Sequence, residues 1–95
     1  MSARKSRKLA DKVIPRAQLA REIAAVVADR RLTQAAAATL VNDAPSQLCL
    51  LLGGELDGFS AERLLRWLTL LGVDVDIVLR RNTDRKPGTV RIRRR

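Results

Sequence analysis

The sequence predicts a mainly α-helical fold in which four helices precede a C-terminal β-strand. Between residues 15 and 72, apolar residues recur at helical spacing in four separate stretches. From Val73 to Arg80 the spacing changes to every second residue, which is typical of a strand. The chain has 95 residues, of which 46% are hydrophobic, so we expect one small domain with a compact core.

The second and third predicted helices are joined by a very short turn. Thr33 can cap the first of them, an alanine-rich stretch over about 34–41 in which Ala38 leaves room for a neighbouring helix. Asn42 tolerates the left-handed backbone that a tight turn requires. Pro45 suits the first turn of a helix over about 45–52, which Gly53 and Gly54 end. Two helices joined in this way form a helix-turn-helix.

The first helix is expected over about 15–29, with Pro15 in its first turn. Its buried stripe is formed by Leu19, Ile23, Val26 and Val27. Arg30 and Arg31 follow, where cations stabilise the helix dipole or contact a phosphate. We favour the helix-end role for Arg30 and a phosphate contact for Arg31.

The fourth helix begins after Ser60, a good N-cap, and ends at Gly72. Its predicted buried residues are Leu64, Leu65, Trp67, Leu68 and Leu71, and Leu40 and Val41 are expected to close the core over Leu48 and Leu51. Within this leucine stripe, Trp67 is interpreted as a core residue rather than a platform for stacking a ligand.

The predicted strand has four apolar residues on one face: Val73, Val75, Ile77 and Leu79. An isolated strand leaves half of its backbone groups without partners. We expect it to pair with the same strand of a second subunit; a hairpin with residues 90–92 is the alternative. Asp74 and Asp76, on the other face, are interpreted as a solvated edge rather than a metal or acid–base pair.

The net charge of +9 is carried by the two ends of the chain. Residues 1–16 have a net charge of +5 and residues 79–95 of +7, whereas residues 17–78 have −3. Basic ends suit a nucleic-acid partner, although solvated tails have the same composition. We therefore predict a basic flexible arm over 1–13, a helix-turn-helix domain over 14–72, a dimerisation strand over 73–81 and a basic tail over 82–95.

The residues that the sequence lacks argue against an enzyme. It contains no histidine and one cysteine, Cys49, so zinc ligands and the usual proton shuttle at neutral pH are missing. We expect no catalytic residue, metal, cofactor or small-molecule substrate. No apolar run could span a bilayer and no signal peptide is evident, so we expect no membrane partner. A single cysteine suits a reducing cytoplasm.

Three segments carry a resemblance to a known family: LTQAAAATL, LLGGELDGFS and LLRWLTLLGVDVDIVLR. Together they resemble the HigA-type antitoxins of the XRE-like helix-turn-helix group, over roughly residues 14–80. The resemblance implies a small cytoplasmic homodimer. It also implies two partners, palindromic double-stranded operator DNA and a co-expressed RelE-like (HigB-type) mRNA endonuclease toxin, which the antitoxin neutralises while repressing its own operon.

The resemblance also implies which residues contact DNA. Thr33 and Gln34 match the family's Thr-Gln that anchors the helix to a phosphate, and Asn42 stands where the turn glycine usually is. With Arg31, the remaining predicted DNA contacts are Ala44, Pro45, Ser46, Gln47, Cys49 and Leu50. Only Ser46 and Gln47 among these base-facing residues have side chains well suited to hydrogen bonds with bases.

Two alternatives to an antitoxin that represses its own operon stay open. The apolar surface between Ala44 and Leu50, with a net charge of −2 over residues 31–60, also suits a toxin-neutralising module that binds DNA weakly. A stand-alone, prophage-like transcriptional regulator is the other. Cys49 is interpreted as a small replacement for serine rather than a redox-sensitive thiol.

Overall fold

The computed structural model describes residues 13–94, and within residues 14–94 the chain forms four helices. They are α1 (Arg16–Asp29), α2 (Gln34–Val41), α3 (Pro45–Leu52) and α4 (Ala61–Leu70). The order and bounds agree with the sequence prediction to within a residue or two. Residues 1–12 of the predicted basic arm, and residue 95, lie outside the described part of the chain. None of the described helices is long and apolar enough to cross a membrane.

The helix starts follow the capping residues of the sequence. The Thr33 hydroxyl accepts a hydrogen bond from the Ala36 backbone N–H at 3.0 Å, and the Ser60 hydroxyl accepts from the Arg63 backbone N–H at 3.1 Å. Pro45 occupies the first turn of α3, as predicted. Pro15 is the N-cap of α1 rather than a residue of its first turn.

All four helices end with a residue in the left-handed backbone region. Such a residue turns the chain so that the next N–H groups return to the last free carbonyls of the helix. Two of these residues are glycines, for which this conformation carries no steric cost. The four residues are Arg31 (φ 52°), Asn42 (φ 57°), Gly54 (φ 88°) and Gly72 (φ 91°).

One hydrophobic core lies between the helices, with α4 packed on α1, and α3 on α2. Its largest fully buried side chains are Leu19, Ile23, Leu48, Phe59, Leu64, Trp67 and Leu71. The rings of Phe59 and Trp67 meet edge to face, with centroids 5.3 Å apart. Trp67 is thus a core residue, as predicted.

The prediction that Leu40 belongs to the core is wrong. Its side chain is 37% exposed, whereas Ala37, Ala38 and Val41 are buried. These three residues fill the inward face of α2, and Leu40 falls outside that face because of the helical period. Leu40 therefore lies on the surface of α2 instead of closing the core over α3.

The predicted C-terminal strand does not form in the single chain. Within residues 13–94 the structure contains no strand, and residues 73–81 follow α4 without regular backbone hydrogen bonds. The alternative hairpin with residues 90–92 is absent as well. The physical reason is that a strand needs the backbone of a second segment, and within the described residues no segment pairs with this one.

The predicted basic tail returns to the helices. Ile92 is partly buried against the core. The Arg94 guanidinium donates two hydrogen bonds, of 2.8 and 2.7 Å, to the Glu22 carboxylate on α1. Between α4 and this contact, Asn82 organises a turn through bonds to the Arg85 N–H and the Lys86 carbonyl. The C-terminal segment is therefore attached to α1 through Arg94, near the C-terminal end of the segment.

Candidate nucleic-acid interface

The start of α2 presents three of the predicted DNA-contacting residues. Thr33 uses its hydroxyl to cap the helix, and Gln34, the first helical residue, is exposed. Arg31 is exposed in the left-handed turn that precedes them. The free N–H groups at a helix start attract anions, so this end of α2 is suited to a phosphate.

The turn between α2 and α3 is held by backbone and side-chain hydrogen bonds. Asn42 adopts φ 57° and ψ 50°, which lets the Asp43 N–H reach the Ala38 carbonyl at 3.0 Å. The Asp43 carboxylate accepts a hydrogen bond from the Ala44 N–H at 2.9 Å and forms an ion pair with Arg63. The turn is therefore anchored both to α2 and to α4.

Arg63 determines the charge state of the turn. Its hydrogen bond to the Asp43 carboxylate, helped by the Ala44 N–H, lowers the pKa of Asp43 below its ordinary value. Arg66 adds a weaker attraction, which also lowers that pKa. Asp43 is thus held as a carboxylate, and its negative charge offsets the positive charge of Arg63.

The outer face of α3 carries most of the predicted base-facing residues. Its inner face is fixed in the core by Leu48 and Leu51, which are 0% and 2% exposed. The exposed residues are Ala44, Pro45, Ser46, Cys49 and Leu50. This surface is mostly apolar, and the Ser46 hydroxyl is an exposed polar group on it. It can contact thymine methyl groups and offers few hydrogen bonds to bases.

Gln47 does not share the free exposure of those residues. It is half-buried, and its Oε1 accepts a hydrogen bond from the Arg63 guanidinium at 3.1 Å. The resemblance to the family placed Gln47 in the base-facing set. The structure gives its oxygen a partner on α4, so that oxygen is held toward Arg63 and has one lone pair fewer for a ligand.

The arginines near the interface have different roles. Arg30 donates to the Leu71 carbonyl at 2.9 Å, so it caps the end of α4, and Arg16 donates to the carbonyls of Leu56 and Phe59. Both therefore serve the fold. Arg66 is exposed on α4, near enough to Asp43 to lower its pKa, and the sequence analysis did not single it out. As an exposed cation near the turn, it is available to a phosphate.

The predicted dimerisation residues differ in their exposure to solvent. Val73 is partly buried against the core. Val75, Ile77 and Leu79 are 38%, 77% and 90% exposed. Asp74 and Asp76 are exposed, and within residues 13–94 no group of three or more metal-ligating side chains lies close together. The segment thus presents four exposed apolar residues, because Val78, on the opposite face of the predicted strand, is exposed as well.

Comparisons with known proteins agree with this geometry. A family model described as a helix-turn-helix domain matches residues 5–80. A solved structure of a protein assigned to the XRE family of transcriptional regulators is 39% identical, with a TM-score of 0.68, covering 79% of this chain and 83% of that one. No curated protein sequence matches the chain. The chain belongs to the XRE-like helix-turn-helix family.

Proposed function

We propose that this chain is a DNA-binding transcriptional regulator that places the N-terminal half of α3 in the major groove. The observation that carries this proposal is the outer face of α3, which is exposed while its inner face is locked into the core. The start of α2, with Arg31, Thr33 and Gln34, lies at a helix end suited to a phosphate. Helix-turn-helix proteins dock in this arrangement.

The proposed regulator acts as a homodimer on palindromic DNA. One such domain reads one half-site, and two-fold symmetry places the second half-site about 34 Å away, or a multiple of that distance. The exposed Val75, Ile77 and Leu79 support this assembly, because a segment with alternating apolar residues is suited to pairing with its own copy. Val73 would anchor the paired strand to the core.

The finer proposal is an antitoxin of a type II toxin–antitoxin module. In this role the chain neutralises a RelE/HigB-like mRNA endonuclease in the cytoplasm and represses its own operon. The resemblance of residues 14–80 to HigA-type antitoxins supports it. A groove of about 270 Å³ between α1 and the end of α3, lined mainly by Ala20, Ala24, Leu51 and Leu56, adds a surface suited to a protein contact.

The connection between α3 and α4 carries a negative charge that suits a basic toxin. Glu55 and Asp57 are exposed in the loop after α3, and Glu62 is exposed in the first turn of α4. Enzymes that bind RNA are usually basic, so these carboxylates would favour their association, whereas Arg21, which lines the groove, would not. Binding both partners requires no catalytic group in this chain.

Co-purification with the product of the adjacent gene tests the toxin proposal. We expect a small basic protein to bind tightly, and Ala24→Asp in the groove to weaken that complex. Asp84→Asn, in the exposed turn after residue 81, serves as a control that leaves the complex unchanged. Absence of any small basic neighbour would contradict the antitoxin proposal and leave the stand-alone regulator.

A titration of the full chain on the DNA upstream of its own operon tests the regulator proposal. We expect Ser46→Ala to weaken binding to that DNA more than to an unrelated duplex, and Gln34→Ala, at a phosphate contact, to weaken binding to both. Gln18→Ala is the matched control and should have no effect. Gln18 lies in the first turn of α1, at the opposite end of that helix from Arg31. Binding that survives both changes but disappears when residues 82–95 are removed would be non-specific, and would contradict the proposal.

One observation favours a second candidate, a toxin-neutralising module that binds DNA weakly. Leu50 is 44% exposed and Leu40 is 37% exposed, so the outer surface of the two helices is apolar. Such a surface is also suited to a protein contact. If Leu50→Asp abolishes toxin binding and the wild type does not distinguish the upstream DNA from an unrelated duplex, the second candidate replaces the first.

A further inference from the structure

Arg63 lies where the helix-turn-helix meets α4. Its guanidinium donates to the Asp43 carboxylate in the turn, to Gln47 Oε1 on α3 at 3.1 Å, and to the Gly58 carbonyl before α4 at 3.2 Å. One side chain therefore connects the turn, the third helix and the loop that leads into the fourth. Its side chain is 23% exposed, so these bonds are partly shielded from water.

Two aromatic rings hold the guanidinium in place from the core side. The Arg63 Cζ lies 4.5 Å from the centroid of Phe59 and 5.3 Å from that of Trp67. Both rings are almost fully buried and pack on each other. A cation over an aromatic face is attracted to it, and this geometry restricts the guanidinium to one orientation.

The chemistry of arginine fixes which way the Gln47 amide is turned. A guanidinium has hydrogen-bond donors and no acceptor, so the amide atom that faces it is the oxygen. The bond holds the Gln47 oxygen toward Arg63, and the nitrogen, with its two donors, is the amide atom on the other side. Asp43 neutralises Arg63, so Arg63 itself is a poor phosphate ligand, in contrast to the exposed Arg66.

We propose that Arg63 is a positioning residue that makes Gln47 a donor-only reader, with a preference for guanine over adenine. A free glutamine reads adenine by accepting from N6 and donating to N7. With its oxygen held against Arg63, Gln47 reads through its amide donors, and these match the O6 and N7 acceptors of guanine. At adenine they would face the N6 amino group, another donor. This inference rests on the proposed binding of α3 in the major groove.

The test is a selection from randomised duplexes with the full chain, followed by affinity measurements on single-base variants. The base pair that Gln47 reads is the one whose preference disappears in Gln47→Ala. We expect the wild type to prefer guanine there by roughly 10-fold, in line with the usual value of a bidentate base contact. Arg63→Met frees the Gln47 oxygen and should reduce that preference at least 5-fold, or reverse it toward adenine.

Arg66→Met is the matched control on the same helix. It should weaken binding to all duplexes alike and reduce the salt dependence by about one phosphate contact, without changing the guanine preference. In the Gln47→Ala background, Arg63→Met should have no further effect at this base pair, because the two residues act through one hydrogen bond. Circular dichroism and urea titration establish that each variant is folded.

The outcomes separate this inference from the proposed function. A guanine preference that is unaltered in folded Arg63→Met, or a wild-type preference for adenine, overturns the inference alone. A wild type without sequence preference at any position overturns both. The side-chain amide signals of Gln47 in the free protein provide a readout that needs no DNA. They should shift in Arg63→Met and remain in place in Arg66→Met, and unchanged signals in Arg63→Met contradict the hydrogen bond.

Discussion

The helical part of the chain and its C-terminal segment both carry apolar residues at regular spacing, but only the helical part buries them. Leu64 and Leu68 on α4 are 0% and 3% exposed, whereas Ile77 and Leu79 are 77% and 90% exposed. A helix satisfies its backbone hydrogen bonds internally and then needs only one apolar face to pack. A strand needs a partner backbone first, so the same degree of periodicity gives a core in one region and an open surface in the other.

A pair of identical substitutions measures that difference directly. Leu64→Ala should lower the free energy of unfolding by about 2–5 kcal/mol, because it leaves a cavity in a packed core. Leu79→Ala should change it by less than about 0.5 kcal/mol in a dilute, monomeric sample. Urea titrations followed by circular dichroism give both values.

The comparison fails if Leu79→Ala destabilises the chain as much as Leu64→Ala at every protein concentration. A loss for Leu79→Ala that grows with concentration would instead indicate that this leucine is buried in a dimer. Sedimentation of the wild type over the same range distinguishes the two results.

The left-handed residues offer a second pair of matched positions. Asn42 (φ 57°) ends α2 in the helical part of the chain, and Arg85 (φ 57°) lies in the turn of the C-terminal segment. Asn42→Ala should cost about 1 kcal/mol of stability, since alanine tolerates this conformation poorly. Arg85→Ala should be nearly neutral to global unfolding, because the turn it distorts does not pack in the core. Thermal unfolding measures both.

Asn42→Gly is the control for this interpretation. Glycine adopts the left-handed region without a steric cost, so the variant should be about as stable as the wild type. If Asn42→Gly is as damaging as Asn42→Ala, the asparagine side chain, and not its backbone conformation, is what the turn requires.

The sequence predicted what local chemistry decides. The Thr33 and Ser60 caps, the left-handed Asn42 and the buried Trp67 are all confirmed, because each depends on neighbours within a turn of helix. Leu40 was wrongly predicted to be buried. In a short, alanine-rich helix, the few large side chains do not determine which face of the helix turns toward the core.

Contacts between residues that are far apart in the sequence could not be predicted from local patterns. Arg63 meets Gln47 across 16 residues, and Arg94 meets Glu22 across 72. Nothing in the spacing of either pair indicates a contact, because both depend on how packed elements are placed in space. The family resemblance placed Gln47 among the base-facing residues without indicating its bond to Arg63. The missing strand likewise depended on a partner that no local pattern supplies.

The two ion pairs allow the comparison to be repeated with charged groups. The Asp43 and Glu22 side chains are each 28% exposed, but Arg63 is 23% exposed and Arg94 is 61% exposed. An ion pair gains less when a partner is solvated and mobile. The pair within the helical part should therefore stabilise the chain more than the pair that attaches the C-terminal segment.

Asp43→Asn should lower the free energy of unfolding by about 1 kcal/mol near neutral pH. Arg63 lowers the pKa of Asp43 in the folded chain. The stabilisation is therefore present above the ordinary carboxyl pKa and is lost as the pH falls through the lowered value. Urea titrations between pH 7 and pH 2 should show a smaller acid loss for the variant than for the wild type. Parallel profiles would contradict this role of Asp43.

Arg94→Gln should have the smallest effect on global stability, because the bond lies at the surface. Its effect should appear instead as increased mobility of residues 90–94, measured by backbone nitrogen relaxation. Arg94 also lowers the pKa of Glu22, so the attachment is present above the ordinary glutamate pKa and weakens as the pH falls through the lowered value. High salt should have a similar effect.

Arg93→Gln is the matched control, since it removes an equal charge from the same segment without breaking the bond to Glu22. It should leave the mobility of residues 90–94 nearly unchanged. If both variants release the segment alike, net charge and the packing of Ile92 hold the C-terminal segment on α1, and the Arg94–Glu22 pair does not. If neither does, Ile92 alone is sufficient, and Ile92→Ala should then release the segment.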